Sequence, residues 1–326
     1  MTMRPDWQKR LFIGSFLLPG LALYTLFFAF PAAEGLRISM GGESLNIGLR
    51  LAIEGLPAGG SWLEMTGEAL ASYRRLLFEI SDPADLYRVR RYLGNSFFLF
   101  FFSLLDLVLG FVIAAILTRK PYGARFLRVV YFFPSILSAA AATIMWAMVL
   151  NPRYGLLNQA LRTVGLGGFA QPWLSQVKML PFAPLALYAV ALIGVWGSVG
   201  VAVLLFTAAI QNVPVTLYES ARIDGASELQ SFFYVTVPLV WEMFRTLLVL
   251  RVIGLFGNVG GYATVQILFG GTGGSKVWLV SNYFHYHAFG AHNWSYASAV
   301  IVAATGAAFL LAGATLWATR RDAATF

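Results

Sequence analysis

Three groups of residues in this chain of 326 residues are of a type and spacing that could do chemistry. His285, His287 and His292 are its only histidines, and clustered imidazoles can bind a transition metal. There is no Cys, few acids lie nearby, and His285 and His287 would share a face only in a strand. Polar surface or pathway residues are the favoured reading, and no metal site is expected. Gly270-Gly271-Thr272-Gly273-Gly274-Ser275-Lys276 has the outline of a phosphate-cradling loop. It fails the pattern, because Ser275 replaces the Gly before Lys and Val277 replaces Ser/Thr. Asp106 is the one acid well inside an apolar run, where an ionised group costs about 2.5–3.5 kcal/mol on insertion scales. It should face a helix bundle or a partner, and a structural hydrogen bond is favoured over solute contact. No catalytic residues and no cofactor of the chain's own are expected.

The elements that must position these groups are membrane spans. The chain is 58% hydrophobic and 12% charged, with mean hydropathy +0.70. That composition belongs in a bilayer. Crossing a hydrocarbon core takes roughly 20 mostly apolar residues as helix. About six such runs occur, near Leu11 to Pro31, Leu93 to Leu117, Phe126 to Leu150, Pro184 to Ile210, Thr246 to Phe269 and Tyr296 to Thr319. The first is long and lacks a small-residue cleavage site, so it is expected to be a retained helix. The expected class is all-α, polytopic and lipid-embedded. No hydrophilic block is large enough for a separate catalytic domain.

Basic residues orient the stack. Arg4, Lys9 and Arg10 precede the first span, Arg119, Lys120, Arg125 and Arg128 crowd the second connection, and Arg320 and Arg321 follow the last. With six spans all three clusters fall on one side, which makes both termini cytoplasmic. The net charge of +8 then reflects orientation, and nucleic acid is a poor alternative partner. The chain divides into residues 1–33 with the first span, a 34–91 extracytoplasmic loop, a 92–319 transmembrane domain and a 320–326 tail.

One cytoplasmic connection departs from the basic bias. Between Gln211 and Arg245, Glu219, Asp224, Glu228 and Glu242 outnumber Arg222 and Arg245. Pro214 suits the start of a short helix carrying Tyr218, Glu219 and Arg222, and Gly225 suits the left-handed turn that ends it. Ser227 stands three residues before Gln230, a capping-box spacing that would start a second helix, and Pro238 marks the passage to the next span. The product is a compact helix, turn, helix suited to a cleft. The bland alternative is a solvated loop in which Glu219 and Arg222 form an i,i+3 pair worth only about 0.2–0.5 kcal/mol.

Small residues suggest close helix contacts: Ser138 to Ala142, then Gly194, Gly197 and Gly200, then Gly254, Gly257, Gly260 and Gly261. The glycine-dense fifth span also favours a bend. Solutes rich in hydroxyls are held by aromatic faces and side-chain amides. Asn258, Tyr262 and Gln266 recur at helical spacing, and Asn282 and Tyr283 precede the last span. These five are candidate pathway residues, with helix packing as the alternative.

The sequence Tyr218-Glu219-Ser220-Ala221-Arg222-Ile223-Asp224-Gly225-Ala226-Ser227, with Val235-Thr236-Val237-Pro238 after it, resembles the EAA loop of binding-protein-dependent ABC importers. Glu219, Ala221, Gly225 and Pro238 match that pattern, whereas Ser220, Val235 and Val237 depart from it mildly. The likeness extends through Asn95, Gly110, Phe133-Pro134, Asn151-Pro152, Gly155-Leu156-Leu157-Asn158, Pro172-Trp173-Leu174 and Gln211-Asn212-Val213-Pro214 to Ser295-Tyr296-Ala297. The chain is similar to the first permease of maltose and glycerol-phosphate type carbohydrate importers.

That resemblance implies a type I ABC importer permease fold in the inner (plasma) membrane of a prokaryote. It implies a second homologous permease, two ATPase subunits that hold ATP and Mg, an extracytoplasmic solute-binding protein, membrane lipid, and a sugar or polyol as solute. Glu219, Ser220, Ala221, Asp224, Gly225 and Pro238, within an EAA loop spanning 214–238, would form the ATPase-coupling surface. A self-contained secondary transporter is the rival reading and a membrane-embedded enzyme the third. The first would need its own coupling-ion site and the second a catalytic constellation.

Overall fold

The computed structural model describes residues 6–40, 72–76, 83–119, 122–257, 259–270 and 276–320. Most of the expected 34–91 loop, the candidate Asn258, and Gly271 to Ser275 of the rejected phosphate loop lie outside the described residues. Apart from one antiparallel bridge between Met179 and Pro184, the regular structure among the described residues is helical. The chain forms two compact units, one of Met1–Ser81 with Phe284–Ala303 and one of Asp82–Tyr283 with Ala304–Phe326.

In the first unit, α1 (Asp6–Tyr24) passes through a π turn (Thr25–Ala29) into α2 (Phe30–Ser39). The stretch from Ile13 to Ser39 is apolar enough to span a membrane, and Phe16 and Phe27 are 78% and 72% exposed along it. A surface of that kind belongs against hydrocarbon. Its far end is tied by polar contacts: Arg37 pairs with Glu34 at 2.7 Å, and the Tyr73 hydroxyl donates to Ser39 Oγ at 2.9 Å. Arg75 lies over the Tyr296 ring at 5.1 Å.

The second unit is built around one helix. Its elements are α3 (Pro83–Thr118), α4 (Ala124–Ile136), α5 (Ala139–Val149), α6 (Leu156–Thr163) and α7 (Leu185–Gln211). Then follow α8 (Val215–Ile223), α9 (Glu228–Ser231), α10 (Val237–Gly257), α11 (Val259–Phe269) and α12 (Val280–His285). The last described helix is α13 (Trp294–Ala318), whose first residues belong to the other unit. α7 is apolar all round, as a helix surrounded by others must be, and it packs on α3, α4, α5, α10 and α11. Leu107, Ala202, Phe206 and Val240 fill one core layer beside it, and Tyr92, Leu187, Val265 and Trp278 fill another. Gly200 makes the close approach to α4: an added Cβ would lie 2.4 Å from Tyr131 O and 2.6 Å from Ser135 Oγ.

Four described helices are long and apolar enough to cross a membrane, and the bent pair α4 and α5 would make a fifth if it forms one span. The run from Phe126 to Leu150, expected as one straight span, is broken by 103°. Pro134 lies in the last turn of α4, Leu137 is extended, and Ser138 caps α5 by accepting from Ala141 N. Ser138 is thus a cap and not part of a packing face. The run from Thr246 to Phe269 is divided between α10 and α11, with α10 carrying Glu242, Arg245 and Arg251. α3 begins at Pro83, well before Leu93.

A recurrent device shapes two entries into apolar helices. The π turn before Phe30-Pro31 and the π turn Phe232–Thr236 before Val237-Pro238 occupy the same place relative to proline. Proline has no N–H to give the carbonyl four residues back and its ring crowds that carbonyl. Widening the preceding turn to an i→i+5 pattern accommodates both.

Candidate functional site

Two places in the second unit gather functional side chains: the bend between α7 and α10, and a polar centre between α3, α7 and α10.

The bend is defined by its caps. Pro214 turns the chain at the start of α8. At the other end Gly225 has φ +76°, Gly225 N donates to Arg222 O at 3.1 Å, and Ala226 N donates to Ala221 O at 2.8 Å. That pair of bonds is a Schellman cap, with glycine at the left-handed position. Ser227 and Gln230 then form the complete capping box that their spacing predicts: Ser227 N donates to Gln230 Oε1 at 2.8 Å, and Gln230 N to Ser227 Oγ at 3.3 Å. The Tyr218 hydroxyl and Thr236 Oγ1, 2.9 Å apart, tie α8 to the π turn, and Arg119 at the end of α3 pairs with Glu228 at 2.7 Å.

The bend is therefore a braced body that presents its outer side to solvent. Glu219, Ser220, Asp224 and Gly225 are exposed, Ala221 is half-buried, and Ile223 and Tyr234 are 87% and 80% exposed. Glu219 and Arg222 form no ion pair with each other, and neither has another ion-pair partner among the described residues. Between α8 and the end of α3 lies a cleft of about 760 Å³, lined among others by Arg119, Gln211, Tyr218, Glu219 and Arg222.

Gly225→Val tests the cap. No heavy atom lies within 4 Å of a Cβ added at Gly225, so the only cost is the left-handed backbone, about 1–2 kcal/mol for a residue with a side chain. On the coupling role that the resemblance implies, the variant should insert normally and lower solute uptake several-fold. Uptake assays with immunoblotted membrane fractions read both, and unchanged uptake would show that the turn geometry is dispensable.

The polar centre sits where three helices meet. Asp106 of α3 is wholly buried and accepts from Ser198 Oγ of α7 and from Arg251 Nη2 of α10. Ser198 Oγ also lies 2.9 Å from Gly194 O, so its one hydroxyl hydrogen is shared between the carboxylate and that carbonyl. An acid in an apolar bundle requires such partners, because an uncompensated charge there is costly. Arg251, whose side chain is 31% exposed, lines two cavities of about 250 and 150 Å³ whose walls share Leu99, Ser103 and Arg251. The larger cavity is also bounded by Leu137 and Ala139, at the α4–α5 break, and by Thr264. Non-helical backbone at membrane depth is tolerated where it lines a cavity.

Residues 86–321 match the family model described as binding-protein-dependent transport system inner membrane component. The chain belongs to that family. The permease component is 33% identical over 193 residues, 59% of its length and 63% of the relative's, to the probable ABC transporter permease protein YurN of Bacillus subtilis (strain 168). It is 33% identical over 216 residues, 63% of its length and 59% of the relative's, to the diacetylchitobiose uptake system permease protein NgcF of Streptomyces coelicolor. The chain thus spans about three-fifths of the length of these two relatives. To the sn-glycerol-3-phosphate transport system permease protein UgpA of Yersinia pestis it is 26% identical over 265 residues, covering 80% of this chain and 77% of that one. A chain of a bacterial ABC transporter involved in the import of the acidic polysaccharide alginate has the same fold, with TM-score 0.72, 18% identity and 98% of both chains covered. The expected all-helical ABC importer permease fold is thereby established, in a multi-pass inner membrane protein.

Of the candidate pathway residues in the permease component, the fold brings three together. Asn282, 2% exposed, points its amide at Tyr262 O (3.4 Å) and Gln266 Oε1 (3.5 Å), while its Oδ1 accepts from Leu279 N at 3.1 Å. It braces α11 against α12, with Tyr262 and Gln266 half-buried. Tyr283 turns instead to Tyr92, with ring centroids 5.6 Å apart. His285 packs on Phe289 and His287 on Tyr296, with ring centroids 4.6 and 4.9 Å apart.

Sequence reasoning missed Arg251, which sits inside the expected fifth span. A lone Arg in Leu247 to Leu255, together with a lone Asp in another span, was the available signal. It also read Gly194 and Gly197 as packing positions. A Cβ added at either meets nothing within 4 Å, and both line the larger cavity.

Proposed function

We propose that this chain is a transmembrane permease subunit of an ATP-driven importer that moves a sugar or related polyol inward without altering it. The observation that carries the reading is the bend from Pro214 to Pro238: a rigid, doubly capped surface on which Glu219 has no ion-pair partner among the described residues and Ile223 and Tyr234 stand exposed. Charge and apolar bulk presented together on so small a body fit insertion into a cleft of another protein. Glu219, Ser220, Ala221, Asp224, Gly225 and Pro238 form the coupling surface. Two partner ATPase subunits bind ATP and Mg, and their closure moves the bend and tilts the bundle.

The sugar assignment is supported by the relatives named for diacetylchitobiose and sn-glycerol 3-phosphate transport. A second homologous permease completes the pathway, an extracytoplasmic binding protein delivers the solute, and both termini face the cytoplasm. The test is co-expression of the chain with the permease, ATPase and binding protein encoded beside it, followed by co-purification and a radiolabelled sugar uptake screen. ATP-dependent uptake of a sugar or polyol by the assembled complex is the expected result. Uptake by this chain alone, driven by an ion gradient, would overturn the reading in favour of a secondary transporter.

A further inference from the structure

The centre formed by Asp106, Ser198 and Arg251 does more than neutralise a buried acid. Only one guanidinium nitrogen, Nη2, is used by Asp106, and the other guanidinium N–H groups have no protein partner among the described residues. Arg251 stands on the shared wall of both cavities and is the one ionisable side chain on either wall. Ser103 and Thr264 add hydroxyls, and Gly194 and Gly197 leave the wall of the larger cavity unfilled where a Cβ would meet nothing. Asp106 itself is wholly buried, so the cavities meet the donor end of the pair and not its carboxylate.

The charge balance selects the ligand. Arg251 and Asp106 sum to zero, so an anion bound there would leave one uncompensated negative charge in a low-dielectric bundle with no second cation on the wall. A neutral hydroxyl accepts from a fixed guanidinium without that penalty, and the planar donor fork of arginine suits two adjacent oxygens. We propose that Arg251 is the solute-facing donor of an intramembrane subsite for the hydroxyl groups of an uncharged sugar or polyol, with Asp106 and Ser198 as positioning residues that hold its guanidinium there. This rests on the reading of the chain as a solute permease and adds the chemistry and place of one contact.

The absence of native Cys makes the test direct in this chain. Ser103→Cys places a single thiol on the wall common to both cavities. Its alkylation by N-ethylmaleimide is measured in the assembled transporter, built with cysteine-free partner subunits and binding protein, during ATP turnover. One sample receives a mixture of neutral disaccharides including diacetylchitobiose and the other sn-glycerol 3-phosphate. The neutral mixture should slow alkylation about tenfold, as site occupancy near 90% requires, and the phosphate ester should leave it unchanged. In a second variant, Asp106→Asn with Arg251→Gln is added; the complex should still assemble and retain its ATPase on co-purification, while protection by the neutral mixture disappears.

Protection by sn-glycerol 3-phosphate alone, no protection by either probe, or protection that survives in the neutral double variant would each overturn the subsite. Failure of the wild-type chain to assemble with an ATPase would instead overturn the permease reading. The two failures are therefore separable.

Discussion

Glu219→Lys should reduce solute uptake to a few per cent or less while the chain still reaches the membrane in normal amount. Glu219 lies on exposed α8 with no ion-pair partner among the described residues, so reversing its charge breaks no ion pair among them. Surface changes of this kind usually leave stability within about 0.5 kcal/mol. In a docked complex the same change replaces a desolvated carboxylate by an ammonium against whatever complements it. Disrupting a buried interfacial charge pair costs about 2–5 kcal/mol, roughly 30-fold or more in affinity at about 1.4 kcal/mol per factor of ten. Loss of the ATPase from the purified complex, with unchanged membrane abundance, is the expected signature. Glu219→Gln removes the charge without reversing it and should fall between the two. A Glu219→Lys chain that still retains its ATPase and imports at the wild-type rate would leave the bend as an ordinary solvated loop.

The bend was the most legible part of the chain because its structure is local. Each cap needs only residues within six positions of one another, so Pro214, Gly225, Ser227 and Gln230 declare themselves by type and spacing, and all of them cap where expected. The long spans were legible for a similar reason, since apolar length alone defines them. The α4–α5 break was less so: hydropathy continues unbroken across Leu137 and Ser138, and only Pro134 hinted that helical hydrogen bonding would lapse.

The polar centre was half legible. Asp106 announced a need for a partner, but its partners lie 92 and 145 positions away on other helices, and no local rule selects Ser198 or Arg251. Glycine was read by the same rule at three positions of α7 and meant two things. Gly200 permits the approach of α4, whereas Gly194 and Gly197 keep a wall open. Small residues mark both contact and vacancy, and only the neighbouring helices decide between them. Asn282 shows the converse limit: an amide chosen as a solute ligand proves to be wholly engaged by α11 and by its own turn.

Asp106→Ala should be the most destabilising of these substitutions. It leaves the Arg251 guanidinium, on a side chain 31% exposed, without its counter-charge among α3, α7 and α10. Breaking a buried ion pair from one side costs about 3–5 kcal/mol, because the remaining charge is desolvated and unpaired. That is a large part of the roughly 5–15 kcal/mol by which a folded protein is stable, so membrane abundance should fall and the detergent-solubilised chain should unfold at lower temperature. Arg251→Met should be similarly harmful, since it strands a carboxylate that is wholly buried.

Asp106→Asn combined with Arg251→Gln removes both charges, is isosteric at Asp106 and shortens the side chain at Arg251, and it should recover most of the loss, as neutral replacements of buried pairs commonly do. Measured with the single variants Asp106→Asn and Arg251→Gln, the double-mutant cycle should give a coupling of about 2 kcal/mol or more, well beyond the scatter expected of independent sites. Additive losses would mean that Asp106 and Arg251 act separately. Recovery of stability is also what gives the sugar-protection experiment its force. A chain that folds and assembles with its ATPase without the pair, yet no longer shields Ser103→Cys, has lost a contact with solute and not a strut of the bundle.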